Sequence, residues 1–468
     1  MRKATTKDKI ACDVAVLGAG PGGYIAAIRC AQQGLKTILI EADKLGGTCL
    51  NRGCIPTKTL LHSAEVYEEA KNAQAYGVNT QGVSFDYQTI VKRKDAIVGR
   101  LRGGIAGLEK LNGVTLIEGH GKLKDKNTIE VGDQLIEAQK IIIATGSTPT
   151  RPPIPGIDGL NVMTSDEVLA LEKCPESLVI IGGGVIGIEF ASLYATLDKK
   201  VTVLEMMPTI LPGVSNNISD MLKTELQKKN VDIITNAKVT KIDGGKEVGV
   251  TYELKGEINT IKAACCVVSI GRSPVSKNIG LEESGLKLSN GFIEVNERLE
   301  TNIPGIYAIG DVTGKIQLAH VASAQALVAA GNCAMKDIKM DYNIVPACIY
   351  TNPEIAYVGM TKEKAQAAGH TVKIGSFDIS GNGKSMVINA NVGNVELVTD
   401  AQTGQILGGQ IFAPRATDMI GEIAVAMKCE GTIEELADTI HAHPTISEII
   451  MEAAHDVEGL CCHKAPTR

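Results

Sequence analysis

Two cysteines separated by four residues, Cys49 and Cys54, are the residues best suited to redox chemistry. They lie in the run Gly46-Gly47-Thr48-Cys49-Leu50-Asn51-Arg52-Gly53-Cys54-Ile55-Pro56-Thr57-Lys58. At this separation the two sulfurs can meet within one distorted helical turn, so a disulfide is geometrically possible. The chain has 12 cysteines in 468 residues, too scattered along too long a chain for a secreted disulfide framework. In a cytosolic protein a Cys49–Cys54 disulfide would be catalytic and cycling. Metal binding is the other chemistry open to the pair, although no second Cys or His pair at ligand spacing is nearby.

The elements that must position these cysteines are announced by an internal repeat. Ala11 to Leu17 reads as a buried strand, followed by Gly18-Ala19-Gly20-Pro21-Gly22-Gly23, a helix to about Gln33, and a strand from Lys36 that ends at Glu41. Ser177 to Ile181 repeats the pattern: a buried strand, Gly182-Gly183-Gly184-Val185-Ile186-Gly187, a helix to about Leu197, and a strand ending at Glu205. In both copies the acid follows the first glycine by 23 positions. One G-x-G-x-x-G is weak evidence; two copies, each between strand and helix with the acid at one offset, are strong. Gly18, Gly20 and Gly23, then Gly182, Gly184 and Gly187, allow a tight turn, close approach of a pyrophosphate and close helix–strand packing. The helix N-terminus offers N–H groups to phosphate, and Glu41 and Glu205 each suit a ribose hydroxyl. Met206 and Met207 follow Glu205 where arginines would serve a 2′-phosphate, so the second site should prefer NAD to NADP.

Composition is that of a folded globular chain: 44% hydrophobic and 21% charged residues, at a length that calls for more than one domain. Its 50 glycines exceed the usual ~7%, as suits a backbone that approaches large ligands. A net charge of -6 argues against a nucleic-acid partner. No run supplies the ~18 apolar residues of a membrane span. The basic start, Met1 to Ile10, is followed by apolar residues that Asp13 and the glycines interrupt, so it reads as a solvated arm and not a signal peptide, and the protein is expected to be cytoplasmic. Helices are expected over Thr57 to Ala75 and Tyr87 to Leu111, and strands from Val114 to Ile136 and over Lys140 to Ala144. Arg151 to Gly156 and Gly271 to Pro274 read as boundaries. Asn394 to Thr399 and Gln405 to Ile411 read as an antiparallel pair, with helices at Thr417 to Cys429 and Ile446 to Ala454.

With these elements in place, the Cys49–Cys54 segment resembles the redox-active site of the FAD-dependent pyridine nucleotide–disulfide oxidoreductases, and the resemblance covers essentially the whole chain. Ala144-Thr145-Gly146 matches the turn that closes the FAD domain. Thr301 to Asp311 resembles the second FAD fingerprint, whose terminal aspartate binds the ribityl chain. His441-Ala442-His443-Pro444-Thr445-Ile446-Ser447-Glu448 is similar to the C-terminal catalytic segment. Asn51-Arg52 and His-Ala-His-Pro-Thr resemble the branch that oxidises dihydrolipoamide. The branches that reduce glutathione or trypanothione disulfide differ there and usually carry arginines for NADPH.

The resemblance implies an α/β fold with two Rossmann-like dinucleotide-binding domains and a C-terminal α+β dimerisation domain. The FAD-binding domain would comprise 1–148 and 278–344, the NAD-binding domain 149–277, and the dimerisation domain 345–468. Cys49 would exchange with substrate sulfur and Cys54 would face the flavin. His443 is the candidate base, with Glu448 holding its other ring nitrogen; His441 reads as structural. FAD would be held by Gly18, Gly20, Gly23, Glu41, Lys58, Ala144, Thr145, Gly146 and Asp311. NAD would be held by Gly182, Gly184, Gly187, Glu189, Glu205 and Gly271, with Glu189 paired to Lys58. No metal is expected. The implied partners are a second copy of the chain, in a homodimer, and a lipoyl-bearing acyltransferase or glycine-cleavage carrier protein. The lipoyl group would arrive on that partner, since no lipoyl module precedes residue 11.

Two features depart from the pattern. Cys461-Cys462 occupies a tail that is usually small and apolar in this branch; vicinal C-terminal cysteines serve mercuric reductases and some thioredoxin reductases, which leaves another disulfide or mercuric reductase as the alternative reading. His443 argues against mercury, because those enzymes carry tyrosine there, and the tail cysteines read as lacking a redox duty. Gln325 stands where many relatives have glutamate. Cys265 and Cys266, in a buried strand, read as core.

Overall fold

The computed structural model describes residues 8–465. Its first sheet is built on β1 (Asp8–Leu17), whose Val14, Ala15 and Val16 are fully buried, as a strand covered on both faces requires. α1 (Pro21–Gln32) crosses over to β2 (Thr37–Glu41), which pairs parallel with β1, Val14 opposite Thr37. The chain then forms α2 (Gly47–Arg52), α3 (Cys54–Asn72) and α4 (Tyr87–Leu111) before it returns to the sheet. There β3 (Thr115–Glu118) joins the outer side of β2. The hairpin of β4 (Gly121–Asp125) and β5 (Thr128–Val131) leads into β6 (Gln134–Ile143). β6 lies parallel to β1 along its whole length and antiparallel to β5 through its first residues.

The second sheet repeats the plan. β7 (Val162–Thr164) is its edge, and β8 (Ser177–Ile181), α5 (Val185–Thr196) and β9 (Lys200–Leu204) match β1, α1 and β2. β10 (Val231–Ile234) and β11 (Cys265–Val268) complete the parallel order β10-β9-β8-β11-β7. Cys265 and Cys266 are core here, 3% and 0% exposed. A two-stranded ribbon pairing Ser147–Pro149 with Arg272–Pro274 carries the chain into and out of this unit.

The chain then re-enters the first sheet, where β12 (Ile306–Ala308) pairs with the end of β6, and α6 (Ala319–Cys333) packs against α1. The last unit is an antiparallel sheet in the order β13-β14-β17-β16-β15, from Ala347–Ile349, Glu354–Gly359, Ile406–Ala413, Asn394–Asp400 and Val372–Asp378 respectively. α7 (Ala416–Lys428) and α8 (Glu448–Asp456) bury Ile420, Ile423, Ile449 and Ile450 against it. Among the described residues, no helix is long and apolar enough to cross a membrane.

Candidate active site

The cysteines sit at a break between two helices. α2 ends at Arg52, Gly53 leaves helical geometry at φ -148°, ψ -114°, and α3 restarts at Cys54. A Cβ on Gly53 would stand 3.0 Å from the Thr48 carbonyl oxygen and 3.2 Å from the Cys49 Cα, so a glycine is what lets Cys54 fold back over Cys49. Both cysteines are free thiols, and the Cys49 thiol donates to the Cys54 sulfur. That hydrogen bond, with help from Lys58 and against the cost of burial, lowers Cys54 to about 7. The same bond and burial push Cys49 up. Of the pair, Cys54 is therefore the ready thiolate.

Lys58 follows one turn after Cys54 and faces the same way. Its Nζ donates to both carboxylate oxygens of Glu189, at 2.9 and 2.8 Å, and stands 4.5 Å from the centre of the Tyr350 ring. Glu189, 4% exposed, also accepts from the Tyr350 amide at 3.0 Å. A buried carboxylate persists when it is paired and hydrogen-bonded in this way. Asn51, quoted above only as a family mark, fixes the other side. Its Nδ2 donates to the Leu45 and Gly47 carbonyls at 3.0 and 2.9 Å, and its Oδ1 accepts from Arg102 Nε and Nη2 at 3.1 and 2.7 Å. Sequence reasoning missed Arg102, and no local pattern marked it.

The two glycine motifs share one geometry. Gly18 (φ +100°) and Gly182 (φ +110°) occupy the left-handed region, where a Cβ would strike the carbonyl oxygens of Ala144 at 2.4 Å and Ser269 at 2.6 Å. Gly23 and Gly187 press against the Gly18 and Gly182 carbonyls, where a Cβ would come within 1.8 and 2.1 Å. The middle glycines face space: a Cβ on Gly20 would find nothing nearer than 3.9 Å, and one on Gly184 nothing within 4 Å. An open backbone cradle at a helix N-terminus fits a dinucleotide pyrophosphate. Each acid is oriented by two amides, Glu41 by Ala19 and Asp43 (2.6 and 2.8 Å), Glu205 by Gly183 and Met207 (2.5 and 2.7 Å). A carboxylate has about four acceptor positions, so each retains capacity for ribose hydroxyls.

Asp311 opens the turn after β12 and accepts from Ser147 Oγ at 2.5 Å; Arg272 Nε donates to the same Ser147 oxygen at 2.7 Å. The motif aspartate is thus tied to the ribbon joining the two dinucleotide units, and Arg272, read above only as part of a boundary, is the tie. Thr145 Oγ1 donates to the Val275 carbonyl at 2.6 Å and Gly146 accepts from the Val275 amide at 2.9 Å, which fixes the same crossing. Ala144 donates to Leu17 at 2.8 Å, and Gly271 (φ +123°) accepts from the Thr150 amide at 3.0 Å. Gln325, fully buried, accepts from the Gly310 amide at 2.5 Å and donates to the Tyr342 hydroxyl at 2.7 Å.

The histidine segment lies apart from this cluster. His443 Nδ1 meets Glu448 Oε1 at 2.8 Å, and Glu448 Oε2 accepts from the Thr445 amide at 2.8 Å. Burial acts against it, yet those two hydrogen bonds hold Glu448 below the usual carboxylate range. The His443 side chain is 78% exposed. Among the described residues no hydrogen bond joins it to Cys49 or Cys54 of its own chain. His441, its side chain 5% exposed, packs inward against Glu422 and the Thr439 carbonyl. In the tail, Cys461 donates to Glu452 at 3.0 Å, and burial and that bond push it up to about 11. A thiol so held is a poor relay. Cys462 is exposed.

Two dinucleotide cradles around a paired thiol, with a separate antiparallel domain, define a flavin-dependent disulfide oxidoreductase. Residues 12–326 match the family pyridine nucleotide-disulphide oxidoreductase, and residues 345–454 match its dimerisation domain. The chain belongs to this family, and FAD and NAD are its cofactors. It is 43% identical to a dihydrolipoyl dehydrogenase of Bacillus subtilis (96% of this chain, 99% of that one) and 41% identical to that of Chlamydia muridarum (98% and 99%). Among solved structures, LpdA from Mycobacterium tuberculosis superposes with a TM-score of 0.88 at 28% identity (96% and 99% covered). The HOCl-induced flavoprotein disulfide reductase RclA from Escherichia coli, as its Cu(II) complex, gives 0.87 at 29% (96% and 100%).

Proposed function

We propose that the chain is a dihydrolipoyl dehydrogenase, oxidising protein-bound dihydrolipoamide to lipoamide and reducing NAD. The observation that carries this reading is Cys54, lowered to about 7 by Cys49 and Lys58, within a chain similar to dihydrolipoyl dehydrogenases over nearly its whole length. In the oxidised enzyme Cys49 and Cys54 are joined. His443, oriented by Glu448, takes a proton from one substrate thiol, because the thiolate is the nucleophile. The thiolate attacks Cys49, and Cys54 leaves as a thiolate that Lys58 favours. The second substrate thiol then displaces Cys49, so that one disulfide forms in the substrate as one is lost in the enzyme. When bound, FAD supplies the two-electron relay and NAD the terminal hydride acceptor.

The exposed His443 and the dimerisation domain support a homodimer in which each histidine serves the other chain's cysteines. The ribbon at Ser147–Pro149 and Arg272–Pro274 supports dividing the chain near 148 and 277, with the final domain from 345. A lipoyl-bearing acyltransferase or glycine-cleavage carrier is the natural substrate-bearing partner, and the cytoplasm the natural compartment. The test is direct. Purified protein should oxidise dihydrolipoamide with NAD, Cys49→Ser should abolish this, and glutathione disulfide should be a poor acceptor from NADH. Efficient reduction of glutathione disulfide without dihydrolipoamide activity would overturn the reading.

A further inference from the structure

A second pair of thiols meets outside the site just described. α1 and α6 pack together on small residues: Gly22, Ala26 and Cys30 recur every four positions along α1, and Ala322, Ala326, Ala329 and Cys333 every three or four along α6, all buried. Residues three and four apart share a helix face. At one end the approach is close enough that a Cβ on Gly22 would stand 3.3 Å from the Ala322 carbonyl oxygen. At the other, Cys30 and Cys333, 0% and 5% exposed, lie in one core cluster, where Cys30 is the largest influence raising the Cys333 thiol. Cys49 and Cys54 stand in the same relationship. Both buried cysteines are free, and the mechanism above uses neither. Close backbones of this kind can bring two cysteines within the Cα spacing of about 4.4–6.8 Å that a disulfide needs.

We propose that Cys30 and Cys333 form a second redox site, which hydrogen peroxide closes to a disulfide, and that closure fastens together the two helices that hold FAD. α1 presents the glycine cradle at its N-terminus. α6 carries Gln325, which accepts from the Gly310 amide beside Asp311. A link near the far ends of these helices ties the two halves of the cofactor site. In the reaction one thiol loses its proton and attacks a peroxide oxygen, giving a sulfenic acid and one water. The second thiol displaces the hydroxyl as a second water, and the S–S bond forms. Each sulfur is oxidised by one electron, and the peroxide is reduced by two. Cys30 and burial push Cys333 well up, so few thiolates form and closure should be far slower than at Cys49–Cys54.

The experiment uses the full-length holoprotein, incubated with hydrogen peroxide, alkylated, digested and mapped by mass spectrometry. A peptide joining Cys30 to Cys333 is expected, reversed by dithiothreitol and absent from Cys333→Ala. Recovery of the two cysteines only as separate peptides, once Cys49–Cys54 is fully oxidised, overturns the site. The second readout is release of flavin fluorescence in guanidinium chloride. Peroxide should slow release several-fold in the wild type and leave Cys333→Ala unchanged; a mapped link with unchanged release overturns the fastening of FAD. The mapping does not depend on the activity assigned above, so a protein inactive toward dihydrolipoamide but linked at these cysteines would refute that assignment and leave this site standing.

Discussion

Lys58 and Glu189, 131 positions apart, meet as a buried-side charge pair, with Nζ 2.9 and 2.8 Å from the two carboxylate oxygens. The contact joins the helix that starts at Cys54 to the helix that opens at the second glycine motif. A thiol in the first unit is therefore placed electrostatically by an acid in the second.

The two charges act on Cys54 in opposite senses, Lys58 lowering and Glu189 raising it. Lys58→Met should move the pH midpoint for thiolate formation up from about 7 toward the ordinary thiol value. Glu189→Gln, which frees Lys58 to act alone, should move it down. Alkylation rate or thiolate absorbance against pH checks both, and shifts in the same direction would contradict this account.

Glu205 is expected to govern nicotinamide choice. Its carboxylate is fixed by the Gly183 and Met207 amides, with its remaining acceptor positions suited to a ribose 2′-hydroxyl and its charge opposed to a 2′-phosphate. The preference for NAD over NADP in kcat/KM should be about tenfold or more, the ~1.4 kcal/mol scale of one well-placed charge. Glu205→Ala should narrow it. Equal use of both cofactors by the wild type would refute this role.

Glu109 gives a pH dependence of stability. It is 2% exposed, both its carboxylate oxygens lack a hydrogen-bond partner among the described residues, and burial, with Glu41 adding, raises it to about 7. Between its ordinary value and about 7 the folded chain keeps a proton that the unfolded chain has lost, so stability falls as pH rises through that window and levels off above it. Glu109→Gln should remove this slope, and Glu109→Leu should gain about 1–2 kcal/mol at pH 8 with little gain at pH 4. Thermal or denaturant unfolding of holoprotein at the two pH values reads the difference.

The repeat was legible because turn, helix and acid recur at one spacing, and 87–111 was legible as one long helix. α3 was expected from Thr57 and begins at Cys54, since Pro56 falls in its first turn, where amides have no partner within the helix anyway and a proline is tolerated. The clamp of Arg102 on Asn51 joins segments 51 positions apart and follows no period. Nothing in the pattern of 87–111 singles out Glu109, and tertiary packing is what buries it. The Ser147–Arg272 tie was hidden for a similar reason: Arg272 reads only as part of a boundary, and its contact with Ser147, 125 positions away, depends on how the ribbon folds.

The exposed His443 leads to the strongest test of assembly. With Nδ1 held by Glu448 and 78% of its side chain open in the single chain, it is expected, under the proposed function, to serve the cysteines of the partner chain. Cys49→Ser and His443→Gln chains should each be nearly inactive alone, the second by the ~10²–10⁴ in rate that a general base supplies. After subunit exchange, a mixed dimer holds one site with both lesions and one with intact Cys49 from one chain and intact His443 from the other. Random exchange makes half of the dimers mixed, so activity should recover to about a quarter of wild type for a twofold-symmetric dimer. Exchange demonstrated by mass spectrometry without recovery would mean that each histidine serves its own chain's cysteines, and the shared site would be wrong.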